Sequence, residues 1–186
     1  MRKNLGPFTY LYPLPVLIIG TYDENGKPDA MNAAWGGISD FKQVSIALSL
    51  EHKTVKNLLN TKAFTISIAD EKHVVEADYF GVVSGNKEPN KIEKANMHTE
   101  KSEFVNAPII LEFPMTLECK MLEFNEETGI LKGEIVNISV DEEIIGSNGK
   151  VDPSLFNPIT YDPVNNTYIK LGEVVGKAFS DGLKIK

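Results

Sequence analysis

Cysteine, arginine and tryptophan each occur once in this 186-residue chain. Each scarcity excludes something. Cys119 alone cannot close an intrachain disulfide. His52, His73 and His98 lie far apart, and no HExxH occurs, so a zinc site has no support. Arg2 is the single arginine, which leaves lysine, histidine, hydroxyls and backbone N–H groups to bind any anion. The 19 basic and 26 acidic side chains give a net charge of −7, which disfavours bulk binding of nucleic acid or anionic membrane. The longest apolar run, Pro15 to Ile19, is far short of the ~20 residues of a membrane helix. The opening MRKNLGPFTY lacks a secretory pattern, and with one cysteine the expectation is a reducing, cytoplasmic setting. GxSxG, GxGxxG and GxxxxGK[ST] are all missing, and Ser147-Asn148-Gly149-Lys150 reads as a turn.

What is present has a period of two. Val44, Ile46, Leu48 and Leu50 alternate with small or polar residues, as do Phe64, Ile66 and Ile68, and Met115, Leu117, Cys119 and Met121. Such alternation predicts half-buried antiparallel strands. Val16 to Tyr22 predicts a more continuously buried strand, turned by Asn25-Gly26 into a partner over Ala30 to Ile38. Asn125 to Gly129 predicts a second hairpin. Helices are expected to be short: Lys53 to Asn60, Glu71 to Phe80 capped by Asp70 and ended by Gly81, and Asn90 to Ala95. Without repeats or linker-like stretches, residues 1–186 are expected to form one domain, a closed or nearly closed barrel.

Two segments stand out chemically. Asn32-Ala33-Ala34-Trp35-Gly36-Gly37 crowds small residues around the tryptophan inside an expected strand. Glycine there marks a close approach by a ligand or by another backbone. The tryptophan either stacks on a flat ring or plugs the barrel end. Ser49-Leu50-Glu51-His52-Lys53-Thr54 leads from a strand into a helix, where free N–H groups and Lys53 make an anion site or Thr54 simply caps. Ser67 and Ala69, if their strand pairs with the one ending at Ser49, leave room for a ligand on the sheet or form a shallow packing face. Cys119, on the apolar face of its strand, reads as a buried small hydrophobe.

The runs PVLIIGTYDENGKPDAMNAAWGG, SLEHKTVKNLLNTKAFTISIA and DYFGVVSGNKEPNKIEKA resemble the flavin reductase-like family, and most of all its flavoredoxin branch. ILEFPMTLECKM, GEIVNISVDEE, GKVDP and PITYDPVNNTYIKLGEVVGKAF continue the resemblance in order, over roughly Pro13 to Phe179. It implies a mainly β, antiparallel six-stranded split barrel with short inserted helices. It also implies a homodimer that holds FMN non-covalently near the subunit interface.

By that resemblance, Asn32, Ala33, Ala34 and Trp35 lie along the isoalloxazine, with Ser49 and Leu50 at the strand end beneath it. His52, Lys53 and Thr54 form the phosphate corner, and Ser67 and Ala69 the adjoining strand. Phe80, Gly81, Ser84 and Gly85 close over the cofactor. Lys91 reaches the flavin or its phosphate, and Tyr161 lies near the ring. Two departures are visible. Many relatives have a Pro-Pro pair where this chain has Ser39-Asp40-Phe41-Lys42-Gln43, and many use arginine at the phosphate. Lysine serves a phosphate as a point charge without bidentate geometry.

No acid–base residue is required, because flavin carries the redox chemistry. The implied activity is an FMN-dependent oxidoreductase, with NAD(P)H or a redox protein as electron donor. The alternatives are a flavoredoxin-type electron-transfer protein that makes no direct use of NAD(P)H, and a non-enzymatic flavin-binding barrel.

Overall fold

The computed structural model describes residues 1–185. After β1 (Leu14–Pro15), β2 (Leu17–Tyr22) turns at Asn25-Gly26 into β3 (Pro28–Ala33). β4 (Gly36–Asp40), β5 (Gln43–Ala47), helix α1 (Lys53–Thr61) and β6 (Ala63–Ile68) follow. Helices α2 (Val74–Val82) and α3 (Lys91–Lys94) precede the short pair β7 (Thr99–Lys101) and β8 (Pro108–Ile110). A long hairpin, β9 (Met115–Asn125) and β10 (Ile130–Val140), leads to a last one, β11 (Ile159–Asp162) and β12 (Thr167–Lys170).

The main sheet is antiparallel, with seven strands in the order β3-β2-β6-β9-β10-β5-β4. That is one strand more than expected, because the segment over Ala30 to Ile38 is two strands and not one. The break explains the barrel. β3 and β4 are the two opposite edges of the sheet, yet only Ala34 and Trp35 separate them in the chain. Two residues cannot span a flat sheet of seven strands about 4.8 Å apart. The sheet must therefore curl until its edges meet, and Ala34-Trp35 is the seam. Gly36 makes the seam possible: a Cβ there would sit 2.9 Å from Ile46 Cγ1. The Trp35 carbonyl accepts from Ala47 N at 2.8 Å and ties the seam to the end of β5.

Burial follows from this curl. Leu17, Ile19, Val44, Ile46, Phe64, Ile66, Leu117, Cys119 and Leu131 fill the barrel, and α1 plugs one end with Val55 and Leu58. Burying each of the larger side chains stabilises the fold by roughly 1.5–3 kcal/mol relative to leaving it exposed. On the other side, Val16 just before β2 and Ile18 of β2 pack outside the barrel with Phe80 of α2, Ile92 of α3, Ile110 and Phe113. β2 is thus buried on both faces, which is why its sequence does not alternate.

A second sheet, β1-β11-β12, flanks the seam. The Tyr12 hydroxyl donates to Asp162 and fastens the N-terminal segment to it. That bond pushes the Tyr12 phenol up to about 12 and the Asp162 carboxyl down to about 2. α2 begins at Val74, later than expected, and continues through Gly81 to Val82. Asp70 accepts from His73 N ahead of it. At the Ser39–Gln43 stretch, Asp40 Oδ1 accepts from Phe41 N at 2.7 Å and the pairing of β4 with β5 shifts by a bulge. Among the described residues no helix is long and apolar enough to cross a membrane.

Candidate functional site

A cleft of about 480 Å³ opens where the barrel closes. Met31 to Trp35, from the end of β3 through the seam, form one wall, and Ala47 with Leu48 just after β5 another. Asp78, Gly81 and Val82 come from α2, and Tyr161, Asn166 and Tyr168 from the β11–β12 hairpin. The small side chains keep one wall shallow, and three aromatic rings stand around it. Tyr161 and Tyr168 are direct cross-strand partners with ring centroids 6.1 Å apart. Half of the Trp35 surface is exposed, at 51%, so the tryptophan borders the cleft instead of plugging the barrel.

A smaller pocket of about 160 Å³ adjoins the cleft, sharing Met31, Asn32, His52, Gly81 and Val82 with it. Lys53, Thr54, Phe80, Val83, Ser84, Gly85 and Lys91 complete its walls. It lies at the N-terminus of α1, which has neither a side-chain cap at His52 nor an acidic residue in its first turn. Its open N–H groups and the helix dipole favour an anion. Gly85 lies directly against Asp29, since a Cβ there would come within 2.3 Å of Asp29 Oδ1.

The charges around this pocket are partly matched. Lys53 Nζ pairs with Asp23 at 3.5 Å. Lys91 is buried, and its ammonium donates to the Phe80 and Val83 carbonyls at 3.1 and 2.9 Å. Burial holds its pKa below the ordinary lysine value, with Lys53 adding to the effect and Asp29 opposing it. Two donors of Lys91 therefore fasten the end of α2, and one remains for the pocket. The Thr54 hydroxyl donates to the buried Asp29 carboxylate at 2.8 Å. Its single proton is committed there, so the expected hydroxyl donor to an anion is instead a support for Asp29.

Of the residues singled out in the sequence, Asn32, Ala33, Ala34, Trp35 and Tyr161 line the cleft. His52 and Gly81 line both cavities, and Lys53, Thr54, Phe80, Ser84, Gly85 and Lys91 the smaller one. Four lie elsewhere. Ser49 and Leu50 sit exposed in the turn after β5, and Ala47 and Leu48 take their place on the wall. Ser67 and Ala69 are fully buried away from the cleft. β6 pairs with β2 and β9, not with β5, so its small face turns out of the barrel and under the following chain. There Ser67 hydrogen-bonds Thr116 at 2.9 Å, and Ala69 joins the outer core. Asp78, Asn166 and Tyr168 escaped sequence reasoning. The symmetric placement of two tyrosines about Val164-Asn165 in ITYDPVNNTYIK was the available signal for Tyr168. Among the described residues no group of three or more His, Cys, Asp or Glu is placed to hold a metal ion.

Fold and cavities together define a split β-barrel protein with an aromatic-walled cleft beside a smaller pocket at a helix N-terminus. The model of the flavin reductase like domain matches residues 9–164, and the chain belongs to that family. Flavoredoxin of Desulfovibrio vulgaris (Miyazaki F) is 36% identical, with a TM-score of 0.94 over 98% of this chain and 100% of that one. Flavoredoxin from Methanosarcina acetivorans is 24% identical, with a TM-score of 0.86 over 100% and 98%. An FMN-binding domain of a flavin reductases-like enzyme from Shewanella baltica shares the fold at 16% identity, with a TM-score of 0.79 over 88% of each chain. Uncharacterized proteins of Aquifex aeolicus and Aeropyrum pernix are 32% and 26% identical over 111 and 156 residues, or 57% and 81% of this chain. The matches span 55% and 58% of the length of those two relatives.

Proposed function

We propose that this chain binds FMN non-covalently and works as a flavoprotein oxidoreductase, taking electrons from NAD(P)H or a redox protein and passing them to a further acceptor. The observation that carries the reading is the adjacency of the two cavities. A mainly apolar slot walled by small residues and aromatic rings shares five wall residues with a pocket at an uncapped helix N-terminus flanked by two lysines. A ring system joined by a short arm to one phosphate has that shape and polarity, and the cleft volume is typical of cofactor sites.

The protein's own tasks follow. Ala33, Ala34 and Ala47 allow a ring close to the backbone, while Trp35, Tyr161 and Tyr168 bound it. The first-turn N–H groups of α1, with Lys53 and Ser84, serve the phosphate. Lys91 adds positive charge from below. Bound FMN would supply the electron transfer itself. The likeness to flavoredoxin supports the variant in which a redox protein, not NAD(P)H, is the donor. We infer in addition a homodimer, because Ile38, Phe41 and several apolar side chains after β12 are exposed.

Titration by flavin fluorescence tests the reading. FMN is expected to bind at micromolar concentration or below, more tightly than riboflavin, and FAD no better than FMN. Absence of binding by any flavin would overturn it. Anaerobic mixing of the FMN-loaded protein with NADH and NADPH then assigns the donor. Rapid bleaching identifies a nicotinamide donor, and persistent colour excludes one and leaves a protein donor or a non-enzymatic flavin-binding barrel.

A further inference from the structure

We propose that Asp23, through its partner Lys53, is a specificity-determining residue that makes the site prefer a flavin ending in one phosphate to one that continues into a second, an assignment that rests on flavin binding in the cleft. The smaller pocket, at about 160 Å³, is well below the roughly 300 Å³ at which small-molecule sites begin, so it has no room for a nucleoside beyond a phosphate. On one side it adjoins the cleft, which the ring occupies on this reading. On another it adjoins a polar cavity of about 410 Å³, with which it shares Lys53 and Gly85. Three elements wall that cavity: α1 with Lys53 and Lys56, the β2–β3 turn with Asp23 and Glu24, and the loop after α2 with Gly85 and Asn86. A group attached beyond the phosphate would pass Lys53 and enter there.

Asp23 is fixed at this boundary. Its Oδ1 accepts from Asn25 N and Lys27 N, both at 2.9 Å, and its Oδ2 faces Lys53 Nζ at 3.5 Å. Burial acts to raise its pKa, but the two N–H bonds and Lys53 outweigh that and hold the carboxyl below its ordinary value. Lys56 Nζ meets only the Asn86 side-chain oxygen, at 3.5 Å. Two lysines against two carboxylates leave the cavity without net charge. The consequence is chemical. A phosphate monoester carries nearly two negative charges at neutral pH. In a dinucleotide the same charge is divided, one to each phosphate. FMN therefore concentrates its charge at the α1 N-terminus, Lys53 and Lys91, whereas FAD moves half of it into a cavity where Asp23 already offsets Lys53.

The experiment measures dissociation constants for FMN, FAD and riboflavin by equilibrium dialysis. It uses the wild type, Asp23→Asn and Glu24→Gln, each checked for folding by its urea midpoint. Asp23→Asn keeps an oxygen for the two N–H groups of the turn and removes the charge. The preference of the protein for FMN over FAD is expected to fall about 5-fold, the effect of one charge a few ångströms away in water, while riboflavin affinity stays nearly constant. Glu24 lines the same cavity but is exposed and joins no ion pair among the described residues, so Glu24→Gln is expected to leave the preference nearly unchanged. Equal changes for FMN and FAD in Asp23→Asn, or an equal fall in both variants, would overturn the proposal. Asp23→Ser, which also offers the turn an oxygen, repeats the comparison if Asp23→Asn does not fold. Wild type that binds FAD as tightly as FMN would overturn the proposal without any variant. Wild type that binds no flavin would overturn the flavin reading itself, a result distinct from all of these.

Discussion

Thr54 lines the smaller pocket yet commits its hydroxyl to the protein. Its hydroxyl donates to Asp29, and both residues are buried. Asp29 in turn lies against the Gly85 backbone under the smaller pocket. Thr54→Val keeps the shape and removes the donor, leaving a buried carboxylate one hydrogen bond short. The expected loss of stability is about 1–3 kcal/mol, read from urea unfolding. A carboxylate less well satisfied also repels a phosphate above it. FMN affinity is therefore expected to fall about tenfold, a loss of about 1.4 kcal/mol, while riboflavin affinity stays nearly constant. Equal losses for the two flavins would make Thr54 a purely structural residue.

At the scale of elements, the end of α2 depends on α3. The last carbonyls of a helix lack intrahelical partners, and here the Lys91 ammonium meets those of Phe80 and Val83. A cation at a helix C-terminus also complements the dipole. Lys91→Met retains the stem near the Phe80 ring but strips both hydrogen bonds, with an expected loss of about 2 kcal/mol at neutral pH. The pH dependence carries its own sign. Burial lowers the Lys91 pKa in the folded state, so just below the ordinary lysine value the unfolded chain binds more protons. Stability contributed through this group rises with pH across that alkaline window. Subtracting the urea midpoints of Lys91→Met from those of wild type between neutral and alkaline pH is expected to isolate that rise. A difference independent of pH would show that Lys91 titrates as in the unfolded chain.

For the whole molecule the notable feature is apolar surface. Ile38 and Phe41 by the β4 edge are 69% and 92% exposed, beside the half-exposed Trp35. Beyond β12, residues 171–185 carry Leu171, Val174, Val175, Phe179, Leu183 and Ile185, all exposed. Exposed apolar patches of this kind mark contact with another molecule. In the proposed homodimer these surfaces are expected to be covered, with the C-terminal segment of one copy packed on the second. Sedimentation equilibrium is expected to give twice the 20.6 kDa chain mass. Removal of residues 171–186 is expected to shift the equilibrium toward monomer. A full-length monomer, or a truncated dimer of undiminished affinity, would show that these surfaces serve something else.

The local pattern of residues was sufficient for much of this architecture. Alternation located the strands of the barrel, and Asn25-Gly26 and Asn125 to Gly129 their tight turns, because side-chain period and turn chemistry are properties of neighbouring residues. The small residues around Trp35 marked a place of close approach, though not the break into two strands that makes the seam, and the approach to Thr54 marked the start of α1. Periodicity could not say which face of a strand looks into the barrel. Ser67 and Ala69 alternate as well as any pair, yet they lie beneath the outer chain because β6 joins β2 and β9. Ser49 and Leu50 continue the alternation of β5 past the point where the turn into α1 ends the strand. Nor could spacing show that Thr54 faces Asp29, or that Tyr168 stands 90 residues along the chain from its partner Asp78. Those pairings are set by long-range register and by the curl that brings β3 to β4. Only the tertiary structure decides them, because each buried donor and acceptor must find its partner among all residues that the closed barrel brings within reach.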